Sequence, residues 1–146
     1  MNWMKKAVIT TSWVALSMTA IFSSGLANAE TSVIVNPANS VELTADDVAK
    51  LYLGKTNKFP DSSTATAYDQ KEGSALRQQF LDAVVGKSES QMKSHWSRLI
   101  FTGKGVPPKA LDSDAAVVAE VASNPEAIGF VDSGAVTGDV RVAFTF

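Results

Sequence analysis

Gly73-Ser74-Ala75-Leu76-Arg77 is the run of this chain best suited to hold a charged ligand. It lies between the strand-like Ser63–Tyr68 and an apolar-periodic stretch from Leu76 to Val85. That pattern predicts a strand, a glycine turn and a helix capped by Ser74. A helix start exposes unpaired backbone N–H groups and the positive end of the helix dipole, which together attract an anion. Ser74 adds a hydroxyl, and Arg77 adds a planar cation that can grip two oxygens at once. The same residues could also do no more than cap their own helix.

Other chemistry-bearing residues are sparse. His95 is the single histidine and the chain has no cysteine, so thiol catalysis and thiolate metal sites are excluded. With no second histidine and no carboxylates at metal spacing, His95 reads as a surface or half-buried packing residue, and no metal or cofactor is expected. Asp46, Asp47, Asp112 and Asp114 stand where helices begin and suit the dipole there. Lys104, between Gly103 and Gly105 ahead of Pro107-Pro108, is a secondary anion-site candidate. Its loop lacks the Gly-Lys-Ser/Thr of a P-loop, and it also reads as a plain helix-ending turn. No acid/base pair or nucleophile supports an enzyme.

The elements that position these residues alternate. Ser32–Asn36 reads as a strand stopped by Pro37. Thr44 caps a helix with Ala45, Val48, Ala49 and Tyr52 on one face, Asp47 in a capping box and Gly54 as the stop. The helix from Ser74 should bury Leu76, Phe80, Ala83 and Val84 and end at Gly86. A longer helix over about Ser90–Phe101 should bury Met92, Trp96, Leu99 and Ile100, with Trp96 and Phe101 in the core. Asp112 or Ser113 caps a helix with Val117, Val118 and Val121 inside. Ala127–Val131 and Val140–Thr145 read as strands. The alternation predicts an α/β fold with a mixed sheet flanked by helices.

Residues 1–29 read as an export signal. Lys5-Lys6 supplies positive charge, Ala7–Phe22 an interrupted apolar stretch, and Ala27-Asn28-Ala29 the small-residue pattern before a cut at Glu30. Residues 30–146, about 117 residues, suffice for one domain. Losing Lys5 and Lys6 takes the formal charge from −2 to about −4. An acidic domain without a basic run argues against nucleic acid or an anionic membrane as partner. Without cysteine the domain folds without disulfides and cannot be a cysteine-acylated lipoprotein, so the periplasm is the expected compartment.

Leu51-Tyr52-Leu53-Gly54-Lys55, Gly73–Arg77 and Asn124-Pro125-Glu126-Ala127-Ile128-Gly129-Phe130-Val131 follow in that order. The series resembles the phosphate-binding proteins of bacterial ABC transporters, in the type 2 periplasmic binding protein superfamily, and above all their short single-domain members. The resemblance runs from about Val33 to Phe146. It implies a fold like one lobe of such a receptor, and phosphate or a related oxyanion held by Gly73, Ser74, Ala75, Leu76 and Arg77. Ala75 and Leu76 replace a glycine and a threonine of the family motif, and Gln70 stands where many members carry arginine. Asp69 and Glu72 stand close by; in such receptors an acidic acceptor can select a protonated phosphate, whereas a phosphate without the proton is repelled.

Two functions follow. One is an exported solute-binding protein for ABC-type uptake or sensing, whose partners are a small anion and a transporter permease or periplasmic sensor protein. The other is a binding-protein-like domain that has lost its ligand and acts as an interaction or sensory module. A single lobe leaves a ligand open to water, so a homodimer that closes the cleft is a further expectation. Arg77→Ala is expected to abolish binding and to change stability little.

Overall fold

Five strands form one sheet in the order β3-β2-β4-β1-β5, and the computed structural model describes residues 30–146. The export reading of residues 1–29 lies outside the described residues. In chain order the elements are β1 (Thr31–Val35), α1 (Ala45–Tyr52), β2 (Thr66–Gln70), α2 (Ala75–Phe80), α3 (Glu89–Phe101), β3 (Lys109–Leu111), α4 (Asp114–Ser123), β4 (Ala127–Asp132) and β5 (Arg141–Thr145). β2 runs parallel to both β3 and β4, while β1 is antiparallel to β4 and β5. This is the expected mixed sheet flanked by helices.

Period-two alternation splits the sheet between two cores. Val33, Val35, Ile128 and Phe130 face α1, α2 and α3, packing on Leu51, Tyr52, Phe80, Met92 and Trp96. Ile34, Ala127 and Val131 face α4 through Val117, Val118 and Val121. α4 comes so close to β4 that a Cβ on Gly129 would lie 2.5 Å from Cγ1 of Val117. Glycine is therefore required there for space. On the other face Phe80 and Phe130 stack at 3.9 Å, Tyr52 meets Phe80 edge-on at 4.7 Å, and the Tyr52 hydroxyl donates to the Tyr68 carbonyl at 2.6 Å. The buried hydroxyl is thus satisfied. β1 also meets the last residues of the chain, with Thr31 and Phe146 exchanging reciprocal backbone hydrogen bonds of 3.0 and 2.9 Å.

The expected caps are in place. Thr44 and Asp47 form a full capping box, while Ser74 and Ser113 cap α2 and α4. Several expectations need correction. α2 passes into a π-helical turn, Leu81–Val85, before Gly86 ends it in the left-handed conformation. The wider turn shifts the helical phase, so Leu81 is buried and Ala83 is exposed. β2 covers Thr66–Gln70 rather than Ser63–Tyr68, because pairing with β3 carries it through the buried polar pair Asp69 and Gln70. At the end of α3 the sheet is out of reach, leaving Ile100 54% and Phe101 92% exposed, whereas Trp96 is buried as expected.

Candidate functional site

β2, β3 and β4 run parallel to one another and end together, and two helices start at that end from opposite faces of the sheet. Crevices of this kind, outside the carboxyl ends of parallel strands, are where open α/β sheets take ligands. Gly73, at φ +83, turns the chain from β2 into α2. Ser74 Oγ accepts from the Arg77 amide at 3.2 Å, and Ser113 Oγ accepts from the Ala116 amide at 3.1 Å at the start of α4. Among the described residues, the amides of Ala75, Leu76, Asp114 and Ala115 have no hydrogen-bond partner.

Between the two helix starts lies a cleft of about 360 Å3, lined by Gln70, Ser74, Leu76, Gln79, Asp112, Asp114 and Asp132 among others. Gln70 Nε2 donates to Asp114 Oδ1 at 2.8 Å and to the Phe130 carbonyl at 3.0 Å. Asp114 Oδ2 accepts from the Asp132 amide at 3.3 Å, and Asp132 Oδ1 from the Gly134 amide at 2.8 Å. Two opposed terms meet here. The helix starts favour an anion, whereas three aspartates and no lysine or arginine line the walls. An oxyanion that keeps a proton suits such walls, since its hydroxyl can donate to a carboxylate.

Ser74, Ala75 and Leu76 share this cleft, but Arg77 turns away from it. Arg77 Nε donates to both carboxylate oxygens of Asp69, at 3.1 and 3.2 Å, and Nη1 donates to Glu89. Its side chain is only 11% exposed. The Gly73 amide donates to the other oxygen of Glu89 at 3.2 Å. Two of the five sequence-derived residues thus build an ion-paired strut linking β2, α2 and α3, beside a separate small cleft shared by Glu72 and Trp96. Burial pushes the Asp69 carboxyl above its usual range, and the Arg77 charge and the Gln70 amide pull it back. Burial also raises the Tyr52 hydroxyl well above its ordinary value, with the Asp69 charge adding to the shift.

Lys104 lies in a third region, a cleft of about 650 Å3 that it shares with Lys55, Lys109 and Trp96. Sequence reading missed Lys55 and Lys109, because only the β2–β3 pairing and the fold of the α3–β3 loop bring the three together. His95 Nε2 lies 2.7 Å from the Leu53 carbonyl, tying α3 to the end of α1. Among the described residues no group of histidine, aspartate or glutamate side chains is arranged to hold a metal ion.

No family model matches the chain, and no curated protein matches it. Solved structures do. An ABC-type phosphate transport receptor from Vibrio cholerae superposes with a TM-score of 0.59 at 20% identity, covering 78% of this chain and 46% of the receptor. A candidate phosphate ABC transporter substrate-binding protein from Clostridium perfringens, with phosphate bound, gives 0.62 at 20% identity, covering 78% and 44%. PstS from Borrelia burgdorferi gives 0.57 at 12% identity, covering 78% and 47%. The likeness establishes the fold, a lobe of the kind found in these phosphate receptors. The chain spans less than half the length of each.

Proposed function

We propose that this is an exported, non-enzymatic solute-binding protein that takes phosphate or a related protonated oxyanion between the starts of α2 and α4, for ABC-type uptake or for sensing. One observation carries the reading. In a lobe shaped like those of phosphate receptors, the unpartnered amides of Ala75, Leu76, Asp114 and Ala115 stand at two helix starts flanking one cleft at the strand ends. Ser74 contributes its cap, Gly73 the turn and Arg77 the strut behind, while Asp112, Asp114 and Asp132 select a ligand that still carries a proton. Export rests on residues 1–29, with cleavage after Ala29 releasing the domain to the periplasm. Among the described residues no helix is long and apolar enough to cross a membrane.

Calorimetric titration tests this. Phosphate should bind weakly, and more tightly at mildly acidic pH, where more of it carries the proton, whereas sulfate, which has no proton to give, should not bind. Ala75→Pro deletes one candidate donor at the first helical position, where proline is tolerated, and Ser74 already has the extended conformation that proline demands of its predecessor. The variant should fold and bind phosphate less well. Sulfate binding as tightly as phosphate would overturn the selection by carboxylates.

A second reading is a lobe without ligand that serves as an interaction or sensory module. It draws on Arg77, the arginine best placed to charge the site, being held by Asp69 and Glu89. Absence of heat with every oxyanion would decide for it.

A further inference from the structure

The charged surfaces of this lobe are segregated. The cleft between the helix starts carries aspartates and no cation, whereas the cleft beside β2 carries Lys55, Lys104 and Lys109 and no carboxylate. All three lysines are exposed, and none is ion-paired among the described residues. They converge from the end of α1, the α3–β3 loop and the start of β3. Such a positive island on a net acidic chain complements negative charge.

The shape of the cleft restricts what that negative charge belongs to. At about 650 Å3 it far exceeds the space needed by one small oxyanion. Part of its wall is main chain. β3 pairs only with Tyr68–Gln70, and the Thr66 amide is turned to the Glu126 carbonyl on the β4 side, so on the β3 side Ala67 is the residue of this stretch without a strand partner. Trp96 supplies an apolar wall, and Val106, 86% exposed, an apolar lip. An extended peptide fits all of these features. Its side chains alternate, so carboxylates can meet the lysines while apolar groups meet Trp96 and Val106, and its backbone can pass beside Ala67.

We propose that this cleft docks an extended acidic segment of a partner protein. The site is separate from the oxyanion cleft, and the proposal stands or falls independently of it.

Fluorescence anisotropy of the purified protein with a labelled peptide of alternating glutamate and valine tests it. The peptide should bind at low salt and weaken as salt rises, and a lysine–valine peptide should not bind. The combined variant Lys55→Glu, Lys104→Glu, Lys109→Glu should lose about tenfold or more in affinity, as attraction becomes repulsion. Val106→Asp, at an exposed position, keeps the fold and should also weaken binding, which decides the matter if the triple variant fails to fold. Ala75→Pro should leave peptide binding unchanged. The proposal is overturned if charge reversal and Val106→Asp both leave binding intact, if the acidic peptide does not bind, or if inorganic phosphate displaces it at stoichiometric levels. It is also overturned if sedimentation shows the lysines engaged by a second copy of the chain.

Discussion

Removing Arg77 should unsettle the fold, not merely a ligand. The side chain is 11% exposed, as is that of Asp69, and Glu89 is 24% exposed. Arg77→Ala leaves Asp69 buried with the Gln70 amide as its remaining donor, at 2.8 Å. Breaking a buried pair by deleting one partner costs about 3–5 kcal/mol, and because Glu89 reaches water we expect about 3 kcal/mol at neutral pH. The loss should also depend on pH. Burial already raises the Asp69 carboxyl above 3.8, and deleting the opposing cation raises it further. The folded variant then binds the proton more tightly than the unfolded chain does. The Asp69 contribution to its stability is greatest below 3.8 and falls as pH climbs through the raised value, so the gap to the parent narrows on acidification. Asp69→Asn in the Arg77→Ala background should restore about 1–2 kcal/mol. Urea unfolding followed by far-ultraviolet circular dichroism measures all three. A loss under about 0.5 kcal/mol, unaffected by pH, would mean that the strut behaves as an exposed pair and that Arg77 is free for a ligand.

Gly129→Ala should cost about 1–3 kcal/mol by overpacking α4 on β4, and Val117→Ala in the same chain should make the double variant more stable than Gly129→Ala alone; additive losses in thermal unfolding would refute the contact. Trp96→Ala should cost about 3–5 kcal/mol, since the indole fills the space left by Gly54 and Gly105; a loss near zero in denaturant titration would place it outside the core.

What was legible in the sequence was local. Thr44 with Asp47, Ser74, Ser113 and Gly86 mark helix ends through bonds made within a few residues, and each does so here. The apolar face of α4 follows from helical spacing in the same way, as do Val48, Ala49 and Tyr52 of α1, whereas Ala45 in its first turn is exposed and Leu51 is buried. β3 was not legible, because three residues after Pro107-Pro108 form a strand only through pairing with Tyr68–Gln70, far earlier in the chain. The π-helical turn moved Ala83 outward for a reason no periodicity displays. The site divides along the same line. The Ser74 cap was readable, and Asp69 was visibly near. The guanidinium is held in part by Glu89, twelve residues beyond Arg77 on another helix, which spacing along one helix cannot reveal.

The reciprocal bonds between Thr31 and Phe146 give the lobe the topology of a closed ring. Entry and exit lie side by side on adjacent antiparallel strands, so a host polypeptide could open at one surface turn, run through the whole lobe and resume its path almost where it left. Only the short stretch across that gap would differ between the lobe alone and the lobe spliced into a larger chain. The sheet, both cores and the clefts would be unaltered, which makes this architecture portable as a unit.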